Sequence, residues 1–289
     1  MKTLGIIGGI APPSTIDYYR LLTSRYRARS ADGSYPSILI DSIDATRFFR
    51  LLSADDREGM TAFLLVELDR LARAGADLAL FASNTPHLVF AEVSRAAPIP
   101  LISIVEETAI VAESQGYKIL GLLGTRFTME GGFYPAVFAR HGMTVVVPEA
   151  DDRAYVHERY FAELAEGSFR DETRAEMTAV ISTMMARDHI EAIILGGTEL
   201  PLLFRDGPSL AVPLLDTTMI HVESAVERLL AERPVGPGWG SSPGVVGAAL
   251  VVPAGRGRRA PSDLPGESTS ARHDLPGRAG TGPDTTSVF

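Results

Sequence analysis

The chain reads as an α/β protein of two pseudosymmetric lobes, each a mostly parallel sheet flanked by helices, with a cleft between them. Three observations carry this. Short apolar runs of strand type alternate with amphipathic helical segments, the pattern of parallel sheets covered by helices on both faces. The pattern then restarts. Lys118-Ile119-Leu120-Gly121-Leu122-Leu123-Gly124-Thr125 mirrors Leu4-Gly5-Ile6-Ile7-Gly8 at an offset of 116 residues, counted from Gly5 to Gly121. Further along, Ala79-Leu80-Phe81-Ala82-Ser83-Asn84-Thr85-Pro86-His87 is matched by Ile193-Ile194-Leu195-Gly196-Gly197-Thr198-Glu199-Leu200-Pro201, at an offset of 114 from Ser83 to Gly197. Offsets that nearly agree mark two related halves of roughly 100 residues each, a usual size for a compact unit.

Taken in order, residues 4–8 are a short buried-strand run. Ser14 and Asp17 give an S-x-x-D start signal for a helix with Tyr18, Leu21 and Leu22 on one side. Residues 38–40 are a second strand, and Phe63, Leu64, Val66, Leu68 and Leu71 recur at helical spacing. Residues 78–81 are a third strand, and Pro100-Leu101-Ile102 leads a fourth. In the second half, 119–123 and 145–147 are strands, Met177, Val180, Ile181 and Met184 form a helix face, and 192–195 is the next strand. The expected layout is a first lobe of 1–105 joined by 206–232, whose last helix returns to it, and a second lobe of 106–205.

Beyond residue 232 the composition changes. Gly and Pro make up 19 of the 57 residues 233–289, above the ~25–30% that reads as low-complexity chain. With little periodic apolar sequence to offset chain entropy, this tail is expected to be disordered and dispensable. Its one apolar run, 245–252, has nothing beside it to bury it. The tail is +2 and the body −11.

The whole chain has 289 residues, 45% hydrophobic and 22% charged, an ordinary globular balance. A net charge of −9 offers no basic surface for nucleic acid. No apolar run approaches the ~20 residues needed to span a membrane. The first residues do not form a secretory signal, because Gly8-Gly9 and Pro12-Pro13 interrupt a short apolar stretch; a cytoplasmic location is expected. There is no cysteine, which excludes disulfides and zinc–thiolate sites. No His, Asp and Glu spacing suggests a metal site. Gly8-Gly9-Ile10-Ala11-Pro12 fits neither G-x-G-x-x-G nor G-x-x-x-x-G-K-[ST], so it reads as a tight turn rather than a phosphate loop.

The matched segments end in small polar residues where strands hand over to helices, the place where open α/β sheets bind ligands. They resemble the two active-site loops of the aspartate/glutamate racemase family. The resemblance runs from the first strand to about His221. It includes Gly5-Ile6-Ile7-Gly8-Gly9-Ile10-Ala11-Pro12 with Ser14-Thr15 and Tyr18-Tyr19, where the family usually has glycine at the place of Ala11. It continues through Ser83-Asn84-Thr85-Pro86-His87, Gly121-Leu122-Leu123-Gly124-Thr125-Arg126-Phe127-Thr128 and Tyr160-Phe161-Ala162-Glu163-Leu164-Ala165-Glu166-Gly167. The second loop, Leu195-Gly196-Gly197-Thr198-Glu199-Leu200-Pro201, and Pro213-Leu214-Leu215-Asp216-Thr217-Thr218 with His221 complete it. The resemblance implies a cofactor-independent, isomerase-type enzyme, a small carboxylate or amino-acid-derived substrate held in the cleft, and a possible homodimer.

In the family each loop carries a cysteine, and the two thiols face each other across the substrate. Here those positions are Ser83 and Gly197. Inverting a carbon without a cofactor takes an acid on one face and a base on the other, and a thiol suits both roles because its pKa of ~8.5 can be lowered. Serine needs an adjacent base to become useful, and glycine supplies nothing. The remaining candidates for proton transfer are Ser83, Glu199 and His87. Glu199 also stands where the family has a glutamate, so it reads equally as an orienting residue at a helix start. Gly197 is expected to leave a void that enlarges the pocket. Asn84, Thr85, Thr125 and Thr198 fall just after strands, and read either as a carboxylate cradle at helix starts or as simple caps. Asp44 follows the second strand and either faces the cleft or caps a helix. His221 with Asp216 is either a base with its orienter or a packed histidine.

Three functions follow: altered, non-thiol chemistry (isomerisation, elimination or cyclisation) on a small amino or hydroxy carboxylate; true amino-acid racemisation by substitute bases; or non-catalytic carboxylate binding.

Overall fold

The computed structural model describes residues 2–205, 207 and 210–231; the tail, with its apolar run at 245–252, lies outside the described residues. The chain begins with β1 (Thr3–Gly8), α1 (Pro12–Arg29), β2 (Ser37–Ser42), α2 (Ala45–Ser53), α3 (Arg57–Arg73) and β3 (Leu78–Phe81). A 3-10 turn (Thr85–Val89) leads into α4 (Phe90–Ala96), β4 (Leu101–Ile102) and α5 (Ile104–Ser114). The second half runs β5 (Ile119–Leu123), α6 (Arg126–Glu130), α7 (Phe133–Arg140), β6 (Thr144–Val146) and α8 (Ala150–Arg159). A π-helical turn (Tyr160–Leu164), α9 (Asp171–Asp188), β7 (Ala192–Leu195), α10 (Leu200–Phe204), β8 (Leu214–Asp216) and α11 (Thr217–Leu230) complete it.

The strands form two separate four-stranded sheets, ordered β2-β1-β3-β4 and β6-β5-β7-β8. Every pairing is parallel. The second half therefore repeats the first strand for strand, as the offsets predicted. Gly5 and Gly121 show why the first strand of each half carries glycine. A Cβ at Gly5 would stand 3.0 Å from the Leu71 side chain on α3, and one at Gly121 would stand 3.0 Å from Met184 on α9. Both glycines let the layers of a lobe close.

The inner strands β3 and β7 are buried along their whole length, and so carry continuous apolar runs, as strands covered on both faces do. The second-half core is one cluster around Leu120, Phe138, Ile181 and Ile194. The first sheet has a core on each face. Phe48, Leu64 and Phe81 lie on one, and Leu4, Tyr18, Val222 and Leu229 on the other. The last helix, α11, thus packs on β1 and α1, and also on α5.

The sequence expectation for α1 needs correction. The helix starts at Pro12 with Ala11 at its N-cap and no side-chain cap. Ser14 and Asp17 sit inside it, buried, and Asp17 pairs with Arg20 and Arg205. The spacing that resembled a cap belongs to contacts made across the protein. The strand β8 and the helices α2, α5 and α8 were not read from the sequence. β8 is three residues long, too short for its pattern to separate it from a loop.

Candidate active site

The third strand of each half delivers its loop to the same place. After β3 the chain passes through Ala82, Ser83 and Asn84 into the 3-10 turn; after β7 it passes through Gly196, Gly197 and Thr198 into α10. Both loops are buried, so each polar side chain in them needs a partner or a ligand.

In the first loop Asn84 is held by its carbonyl. Tyr134 on α7 donates its hydroxyl to Asn84 Oδ1 at 2.7 Å. Asn84 Nδ2 is buried and has no hydrogen-bond partner among the described residues. A buried amide N–H group left unpaired costs about 1–3 kcal/mol, and a carboxylate oxygen is the natural acceptor for it. Ser83 and Thr85 flank it, also buried.

In the second loop Glu199 is 1% exposed. Ser14 from α1 donates to its Oε1 and Tyr160 to its Oε2. Thr198 Oγ1 donates to Oε2 at 3.1 Å and lies 2.6 Å from Ser14 Oγ. Burial pushes the Glu199 carboxyl above the usual carboxylate range, against the lowering effect of these hydroxyls. The result is a buried carboxyl group whose proton affinity is raised by its surroundings, the kind of tuning that general acid–base work uses.

The Gly197 void is not there. A Cβ at Gly197 would meet the Tyr160 ring at 2.3 Å (Cε2), 2.7 Å (the hydroxyl oxygen) and 2.8 Å (Cζ). Tyr160 fills the space that a side chain at 197 would take, so the expected enlargement of the pocket is corrected. Gly197 is not among the residues with positive φ, so its backbone does not demand glycine; the ring does. Tyr160 is the first residue of the π-helical turn. Ala165 N–H bonds back to Tyr160 O at 2.9 Å, the five-residue step that inserts an extra residue and re-aims the side chain, a device common at functional sites.

Helix α1 carries Ser14, which bonds to Thr198 and Glu199 of the second loop, and one turn on Tyr18, whose hydroxyl pairs with His221 Nδ1 at 2.9 Å. Burial raises the Tyr18 phenol well above its usual range. Asn84 of the first loop in turn bonds to Tyr134 on α7 of the second half.

His87 has both ring nitrogens engaged: Nδ1 donates to Asn84 O at 3.2 Å, and Nε2 accepts from Ile104 N–H at 3.2 Å. It stacks on Phe90 with centroids 4.7 Å apart, and burial lowers its pKa to about 3. It is a neutral, fully used side chain that braces the first loop, and the proton-transfer role considered for it is corrected on that ground. His221 is likewise neutral, lowered to about 3 by burial. Its Nδ1 pairs with the Tyr18 hydroxyl at 2.9 Å and its Nε2 with Ile102 O at 3.1 Å. Asp216 does not orient it; that carboxylate caps α11 at Met219 N–H, 2.8 Å away. Asp44 is exposed and caps α2 at Thr46 N–H, so it does not face the loops. Thr125 caps α6 through Thr128 N–H at 3.4 Å. Of the threonines, Thr198 alone bonds to Glu199.

Sequence reasoning missed Ser14, Tyr134 and Tyr160 as site residues. For Tyr160 a signal existed: glycine at a position that projects from a buried loop requires some other side chain to fill the space.

Two parallel sheets with matched polar loops, one offering an unpaired amide and the other a buried carboxyl, place the protein among α/β folds of the amino-acid racemase type. The chain belongs to the Asp/Glu/hydantoin racemase family, whose sequence profile matches residues 7–225. It is 26% identical over 235 residues to the broad specificity amino-acid racemase RacX of Bacillus subtilis, covering 79% of this chain and 98% of the relative. Among solved structures, an aspartate racemase homologue from Pyrococcus horikoshii is 35% identical, with a TM-score of 0.69 over 79% of this chain and 99% of the other. The Picrophilus torridus aspartate racemase shares the fold at 21% identity, with a TM-score of 0.64 over 79% of this chain and 94% of the other. Within that family this chain is a member without cysteine.

Proposed function

We propose that the protein is a cofactor-independent, isomerase-type enzyme that moves a proton at the carbon next to a carboxylate, using the Glu199 wall of the cleft instead of thiols. The observation that carries this reading is the buried Glu199 carboxyl, held by Ser14, Thr198 and Tyr160 and raised above the usual carboxylate range by burial. The substrate is a small amino or hydroxy carboxylate, whose carboxylate takes the unpaired Asn84 Nδ2–H. Ser83, on the other wall, has no base hydrogen-bonded to its side chain among the described residues, since His87 spends both nitrogens on backbone groups. One working wall exchanges a proton on one face, which suits isomerisation, elimination or exchange with retention.

The test is NMR in deuterated water across a panel of amino and hydroxy carboxylates, beginning with aspartate and glutamate and widening to the range implied by a broad-specificity relative. Solvent deuterium entering at the α-carbon with retention, or a new product, is the expected result, abolished in Glu199→Gln. Exchange with inversion at enzyme-like rates means that the second wall also works and that the protein is a racemase with substitute bases. Saturable binding without exchange means a carboxylate-binding protein.

A further inference from the structure

We infer that the Tyr160 hydroxyl is the atom that exchanges the proton with substrate, standing where the side chain of residue 197 would project, with Glu199 as its proton reservoir. This rests on the reading of Glu199 above and names the group that delivers its chemistry. The ring lies where a Cβ at 197 would be, and its oxygen is within 2.7 Å of that position. The same hydroxyl donates to Glu199 Oε2, so the phenol stands between the residue-197 position and the carboxyl. Glu199 is itself 1% exposed and surrounded by Ser14, Thr198 and Tyr160, so a relay gives it a route to a carbon in the cleft. The extra residue in the π-helical turn aims the ring there, and that turn is pinned from behind. Glu163 accepts from Thr173 and from Arg159, the latter at 3.1 Å.

The step balances without a cofactor. As the substrate C–H bond breaks, its proton passes to the phenol oxygen, and the phenol's own proton passes to Glu199 Oε2. The electron pair stays on the substrate as an enolate or expels a leaving group. Tyr160 is a neutral phenol before and after; Glu199 begins as carboxylate and ends as carboxylic acid. Reprotonation runs the same path backwards. A phenol kept neutral by burial suits a relay, which never needs free phenolate.

The test compares Tyr160→Phe, Glu199→Gln and the parent by α-proton exchange in deuterated water, separating kcat from KM. Tyr160→Phe keeps the ring over Gly197 and removes one oxygen. The expected result is a fall in kcat of at least about 100-fold, the low end for losing a general acid–base group, with KM changed by less than about threefold and the melting temperature lowered by a few degrees, since Glu199 loses one buried donor. A second variant guards against misfolding: Tyr160→Ala with Gly197→Cys puts a thiol into the vacated space, and is expected to exchange protons with a pH profile governed by the thiol. If Tyr160→Phe keeps parental kcat while Glu199→Gln loses it, Tyr160 is only a filler; this inference falls and the reading of Glu199 stands. If the parent exchanges no α-proton on any carboxylate of the panel, both fall.

Discussion

Placing a methyl group on Gly197 is a direct test of how the second loop is packed. An alanine Cβ there would sit 2.3–2.8 Å from three atoms of the Tyr160 ring, against the 3.5–4.0 Å of a favourable carbon contact. The backbone at Gly197 accepts a side chain, so the whole cost is steric. Overpacking of a filled core costs about 1–3 kcal/mol. If the ring swings aside to relieve it, Tyr160 releases Glu199, and a buried carboxyl that loses one donor costs a further ~1–3 kcal/mol. The expected destabilisation is therefore about 2–6 kcal/mol. Urea unfolding of Gly197→Ala, Tyr160→Ala and the double variant forms a cycle. Tyr160→Ala alone opens a cavity at about 3–5 kcal/mol, as for other large aromatics. The double variant should recover part of both losses, with a coupling of about 1–3 kcal/mol. If Gly197→Ala costs under about 0.5 kcal/mol and the two changes add, Tyr160 does not fill the Gly197 space and the site description is wrong.

Three further outcomes are expected. His87 and His221 stay neutral in the folded protein down to about pH 3, whereas in the unfolded chain they titrate near 6.5. Below 6.5 the unfolded state binds more protons, so stability is full above that pH and falls toward pH 3 by up to about 2.7 kcal/mol per pH unit for the pair. Urea midpoints against pH should show this, with a shallower slope in His221→Gln. Tyr134→Phe leaves Asn84 Oδ1 without its buried donor and is expected to cost about 1–3 kcal/mol in urea unfolding; a neutral result means the amide is held otherwise. Ser14→Ala removes a donor that favours the Glu199 carboxylate, so the acid limb of the exchange pH profile should move to higher pH, while an unmoved limb disconnects Ser14 from the reaction.

The lobes were legible because their evidence is local and repeated. Residues 78–81 and 192–195 are continuous apolar runs, coincide with β3 and β7, and sit at nearly equal spacing from the first strand of their halves. The site was less legible, because its contacts join residues far apart in sequence. Ser14 read as a helix start, yet reaches Glu199, 185 residues further along the chain. His87 read as a candidate base and His221 as either a base or a packed histidine, and only the backbone groups of Ile104 and Ile102 show that both are used. The family motifs gave the loops in order, and could not say which partners each loop would meet.

Loss of the side chain at 197 makes no hole, because Tyr160 fills it; an attempt to bring back thiol chemistry must therefore begin with Tyr160. Ser83→Cys with Gly197→Cys alone forces a sulfur against the ring that already meets the 197 Cβ position at 2.3 Å. That double variant is expected to be destabilised as Gly197→Ala is, and to show no inversion of aspartate or glutamate. Adding Tyr160→Ala frees the space and leaves Asn84 and Thr198 in place to orient a carboxylate. The triple variant is then expected to regain the stability lost to the clash, to place one thiol on each wall, and to invert the α-carbon with a pH profile set by cysteine. Chiral chromatography of the products and a melting curve of each variant decide the matter. Inversion by the double variant with Tyr160 intact contradicts the packing account. A stable triple variant that exchanges the proton but never inverts it means that positions 83 and 197 do not face one substrate from opposite sides.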